Sequence, residues 1–104
     1  MHEINGSFYD WDENKHKENI KKHGVDFYEA VTVFDDPFVV EEYDANHSLD
    51  EDRFIVIGIS AKLNLLTVCQ CYRDNDDVTR IISARKATKH EHDKYRGHRD
   101  ERYY

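Results

Sequence analysis

With 104 residues the chain can close one hydrophobic core but not a second independent one. Hydrophobic residues at 38%, charged residues at 36% and aromatics at 12% describe a folded domain with a charge-rich surface and exclude a disordered chain. A formal net charge of -7 argues against a general nucleic-acid binder, because a phosphate backbone repels an acidic surface.

That charge is unevenly spread. Residues 1–52 carry 4 Lys and Arg against 15 Asp and Glu, whereas residues 53–104 carry 11 against 7. The acidic half concentrates eight carboxylates between Asp35 and Asp52 with no Lys or Arg among them, either a solvated face or a surface for a basic partner. No apolar run approaches the roughly 18 residues that span a bilayer, and the start MHEINGSFYDW lacks a secretory signal's apolar stretch. The expectation is a cytoplasmic protein with no membrane partner.

In chain order, a short apolar-polar lead, Phe8 to Trp11, precedes Asp12, which can cap a polar helix from Glu13 to about Lys22 that Gly24 stops. A second helix begins at Asp26. Glu29 three residues on suggests a capping box, Val25 can staple onto Ala30, and Phe27, Ala30, Val31 and Phe34 form one apolar stripe before Pro37 ends it. From Phe38 the pattern turns β-branched and aromatic, with strands near 38–43, 53–60, 65–72 and 79–85. Hairpin-length separators at Ala61 to Asn64 and Arg73 to Asp77 predict an antiparallel meander, its two middle strands apolar on both faces and its helices covering one face. Thr88 and Glu91 form a third capping pair, opening a polar helix that carries Ala87, Glu91 and Tyr95 on one stripe. The predicted fold is α+β, one domain over 1–104 with two N-terminal helices, a four-stranded antiparallel meander and a C-terminal helix. The core lies at about 8–95 and the tail 96–104 is able to fray.

Cys69 and Cys71 share a face of one strand but stand too far apart for easy disulfide closure, so packing as reduced thiols is the favoured reading over a metal site. His90 and His92 lie in KHEHDK, which lacks the spacing of a zinc protease helix. The sequence implies no metal and no cofactor.

Cleaving RNA without a metal needs a base for the 2′-hydroxyl proton, an acid for the departing oxygen and fixed cations around the phosphate. Arginine suits the last role through its permanent charge and forked geometry. Arg53, Arg80 and Arg85 fall at or near strand ends, where an edge ion pair is an equally good account of Arg53 and Arg80. Strict alternation places Arg80 and Arg85 on opposite faces, so one site can use both only if the strand breaks near Ala84. Otherwise one works on RNA while the other ties the last helix to the sheet. His23 closes the first helix, where its cationic form also suits the helix C-terminus. Lys15 shares a helical face with Trp11 and Asn19, as a site cation or a snorkelling lysine. Glu51, two residues from Arg53, is either a general base or the arginine's partner.

The stretches FYDWDENKHKENIKKHGVDFYEAVTVFDDP, EDRFIVIGIS, LLTV and RIISARKATKHEHDKY together resemble the BrnT-type toxins of type II toxin–antitoxin pairs, over roughly Phe8 to Tyr95. The resemblance implies a RelE-like ribonuclease fold, an RNA substrate, inhibition of translation, and neutralisation by a cognate ribbon-helix-helix antitoxin through which alone DNA is reached. The family pattern falls on Trp11, Asp12, Lys15, Asn19, Lys22, His23, Gly24, Glu51, Arg53, Arg80, Ser83, Arg85, Glu91 and Tyr95. Trp11, Gly24 and Ser83 read as architectural. Arg53, Arg80, Arg85, Glu51, His23 and Lys15 are the catalytic candidates, with Lys22, Lys86 and Tyr95 as substrate-binding candidates. The alternative is a catalytically inactive binding module acting with its antitoxin as a transcriptional repressor complex.

Overall fold

A computed structural model describes residues 1–103, with side chains through Glu101. The order is β1 (His2–Ile4), β2 (Ser7–Asp10), α1 (Glu13–His23), α2 (Phe27–Ala30), β3 (Val40–Tyr43), β4 (Arg53–Ile59), β5 (Leu65–Arg73), β6 (Val78–Lys86) and α3 (Lys89–Tyr103). Two 3-10 turns, Val31–Asp35 and Ala45–His47, flank β3. The segment 96–103 is part of α3, and the end of the expected tail, Tyr104, lies outside the described residues.

The helix starts follow from their caps. Asp12 accepts the N–H groups of Asn14 and Lys15 at 2.8 and 3.1 Å, and Gly24 ends α1 in the left-handed region at φ 70°, where a side chain is strained. Thr88 and Glu91 cap α3 reciprocally: Thr88 N–H donates to Glu91 Oε1 at 2.8 Å and Glu91 N–H to Thr88 Oγ1 at 3.3 Å. Asp26 caps α2, but its expected box partner Glu29 instead accepts Ser60 Oγ and Asn64 Nδ2, tying α2 to the β4–β5 turn. The second helix is a single α turn continued as 3-10.

β3 to β6 form the expected antiparallel meander, yet the sheet has six strands, not four, in the order β1-β2-β6-β5-β4-β3. The lead segment is a hairpin turning at Asn5–Gly6, both with positive φ, and its second strand runs parallel to β6, which makes the sheet mixed. Nor do helices cover one face alone. Tyr9, Trp11, Val25, Phe27, Ala30, Val31 and Val33 bury one face against Val56, Leu66, Val68, Ile81 and Ala84. α3 crosses one end of the other face, where Tyr95 packs on Val40 and Ile57. The remainder of that second face is left uncovered by helix, and it carries the arginines.

Candidate functional site

One extra residue in β6 sets the site. Cys69 stands opposite Ser83 and Gln70 opposite Ile81, so Ile82 bulges out without a partner of its own. Opposed residues share a face. Arg80 lies opposite Cys71, Arg85 opposite Thr67, and Arg53 opposite Cys71 from the other side, so all three guanidinium-bearing residues project from the same face. The strict alternation expected of β6 is therefore broken two residues before Ala84.

β2 pairs with β6 only as far as Arg80, which leaves the β6 edge free beyond it. There α1 takes the place of a strand. Asn19 Nδ2 donates to Ala84 C=O at 2.8 Å and to Val25 C=O at 2.9 Å, while Asn19 Oδ1 accepts Ala84 N–H at 3.1 Å. Lys15 and Lys22, at i-4 and i+3 from Asn19, are thereby carried to the bulge.

Three small cavities lie in a row along this band, neighbours sharing lining residues. A cavity of about 240 Å3 is lined by Asp44, His47, Arg53, Ile55, Thr67, Cys69, Ile82, Ser83 and Arg85. Ile82 and Ser83 separate it from a second, of about 220 Å3, lined by Lys15, Glu18, Asn19, Lys22 and His23. His47 and Arg53 separate it from a third, of about 300 Å3, which adds Asn46, Leu49, Asp50 and Glu51. Six of the nine candidates thus border one continuous band: Lys15, Lys22, His23, Glu51, Arg53 and Arg85.

The other three stand apart. Arg80 shares the face but is ion-paired with Asp10, its register neighbour on β2. Lys86 is exposed at the end of β6. Tyr95 is buried beneath α3 and donates its hydroxyl to Asp36 Oδ2 at 2.6 Å; burial and that carboxylate both push its ionisation up. It borders a separate cleft of about 620 Å3 with Asp36, Ile59 and Arg99, which contains none of the three arginines.

The arginines differ in how they are held. Arg85 forms a forked pair with Glu91 at 2.7 and 3.0 Å. Burial works against the Glu91 charge, but Arg85 and the Thr88 N–H hold its carboxyl down to about 2. Arg53 forms no ion pair among the described residues, and its buried Nε has no hydrogen-bond partner. Glu51 is not its partner: that carboxylate pairs with Arg73 at 2.6 Å. Burial raises the Cys69 thiol beside Arg53, with the guanidinium working the other way, and both cysteines are free. Among the described residues no group of three His, Cys, Asp or Glu could hold a metal ion, and no helix is long and apolar enough to cross a membrane.

Two further histidines stand out. His16 is buried, stacked on Phe27 at 4.9 Å and bound to Asp26 at 2.9 Å, an architectural place. His47 is exposed at the arginine cavity and bound to Asp44. The DxxH spacing of Asp44 and His47 is the sequence signal that could have found the second pair.

A family model described as "ribonuclease toxin, BrnT, of type II toxin-antitoxin system" matches residues 11–91. Among solved structures, the crystal structure of the Brucella abortus ribonuclease toxin BrnT is similar at 24% identity and a TM-score of 0.57, covering 80% of this chain and 100% of that one. At that identity the likeness concerns the fold. A comparison with curated proteins finds no match.

Proposed function

The chain belongs to the BrnT family of ribonuclease toxins of type II toxin–antitoxin systems, and from that premise we propose that it is a metal-independent endoribonuclease whose substrate lies across the arginine face. The observation that carries this reading is the Ile82 bulge, which brings Arg85 onto the face of Arg53, where the two line one cavity. Two guanidinium groups there can hold phosphate oxygens and take up the charge that develops as the 2′-oxygen attacks phosphorus. Lys15, Lys22 and His23 extend the grip along the strand, Glu51 borders it from the far side, and Lys86 offers a cation beyond its end. Arg80 and Tyr95 we assign to holding β2 and α3 in place. The toxin would inhibit translation in the cytoplasm until a ribbon-helix-helix antitoxin neutralises it, reaching DNA only through that partner.

Incubation of the purified protein with labelled RNA in EDTA tests this. Cleavage to fragments with cyclic phosphate ends is expected. Activity that EDTA abolishes would end the metal-independent part of the reading.

The ion pairs of Arg80 and Arg85 favour a second reading, an inactive binding module that acts with its antitoxin as a repressor. On that reading the protein binds its antitoxin tightly and leaves RNA intact.

A further inference from the structure

The exposed imidazole beside the arginines is joined to a buried carboxylate. His47 Nδ1 and Asp44 Oδ2 are 2.9 Å apart; the His47 side chain is 68% exposed and that of Asp44 only 9%. An ionised carboxylate can only accept, so the bond places the imidazole proton on Nδ1 and leaves the Nε2 lone pair free. Resting on the ribonuclease reading above, we infer that His47 is the general base of the site, oriented by Asp44, for an RNA strand gripped by Arg53 and Arg85.

The pair is more than a local turn. The loop is fastened to β4 without help from the imidazole: Asp44 N–H donates to Arg53 C=O at 2.9 Å, and Arg53 N–H to Ser48 Oγ at 3.0 Å. Those bonds fix the backbone of Asp44 and of Arg53 to each other, and His47 borders both cavities that Arg53 borders. A buried carboxylate behind an imidazole, beside cations, is an arrangement that can move a proton at a phosphate.

The 2′-oxygen bonds to phosphorus as its proton passes to His47 Nε2. The P–O5′ bond breaks with its electron pair on O5′, which takes a proton from water, and the hydroxide left recovers the proton from His47. The products are a 2′,3′-cyclic phosphate and a 5′-hydroxyl.

Single-turnover cleavage by His47→Ala and His47→Gln tests the assignment, both substitutions being at an exposed side chain that the loop does not need. The rate should fall by about 100-fold or more, the usual share of general acid–base catalysis. Binding of a 2′-O-methylated RNA, which lacks the reacting proton, should be unchanged, and added imidazole should restore part of the rate to His47→Ala. Equal rates for His47→Ala and wild type, or a variant that loses RNA binding while cleaving normally at saturation, would overturn the inference alone. Wild-type protein that leaves RNA intact would overturn the ribonuclease reading beneath it.

Discussion

Arg85 is clamped and Arg53 is not, and the difference is measurable in stability as well as in activity. The fork from Glu91 also caps α3, so Glu91→Gln should cost about 1–2 kcal/mol, the range for a charged hydrogen-bonded pair. Its pH dependence has a fixed sign. The Glu91 carboxyl is held at about 2 in the folded chain, below its ordinary 4.5, so its contribution is complete above 4.5 and is lost as pH falls toward 2. Denaturant titrations of wild type and Glu91→Gln should therefore differ at neutral pH and converge across that window; a constant difference would contradict the clamp. Tyr95→Phe should likewise cost about 1–2 kcal/mol, because Asp36 loses the hydroxyl that secures α3.

At the scale of elements, two junctions hold the arginine face in shape. Asn19 satisfies both backbone groups of Ala84 at the β6 edge that β2 leaves unpaired, so Asn19→Ala would leave buried polar groups without partners and should cost about 2–4 kcal/mol. Thermal melts that show no loss would mean that α1 is not needed there. Gly58 is a point of close approach: an added Cβ would stand 3.1 Å from Val33 Cβ, Val33 O and Val39 Cγ2. Gly58→Ala should destabilise by about 1–3 kcal/mol as the 3-10 turn Val31–Asp35 is pushed off β4. The strands β3 to β6 and the caps of α1 and α3 are legible in sequence, since a cap needs only one to four neighbouring residues. Asn5–Gly6 is equally local as a hairpin signal, but three- and four-residue strands carry too little alternation to declare themselves. The parallel pairing of β2 with β6 joins residues seventy positions apart and has no local mark at all. The Ile82 bulge has none either. RIISA reads as regular strand, and only its register against Cys69 and Gln70 reveals the extra residue. Sequence therefore names Arg53, Arg80 and Arg85 without saying which of them share a cavity, and it passes over His47, whose partner Asp44 is identified by burial.

For the molecule as a whole the net charge is -7, whereas the charges lining the candidate site balance. The band holding Lys15, Lys22, Arg53 and Arg85 also carries Glu18, Asp44, Asp50 and Glu51, so it is mixed rather than uniformly basic. On the proposed reading a few fixed contacts, not a broad positive field, hold RNA there. The salt dependence of binding should accordingly be shallow, with a log–log slope of about -2.8 for Arg53, Arg85, Lys15 and Lys22 each neutralising one phosphate of single-stranded RNA. Filter binding of 2′-O-methylated RNA from low to high salt measures it, and a slope steeper than about -4 would place the strand on some other, more basic surface. On this reading the Arg53 guanidinium, which forms no ion pair among the described residues, meets the reacting phosphate. Single-turnover cleavage by wild type, Arg53→Ala and Arg53→Lys decides this: the rate should fall by about 100-fold or more for alanine and not recover fully with lysine, which lacks the fork, whereas an alanine variant that cleaves as fast as wild type would show that Arg53 does not meet the phosphate.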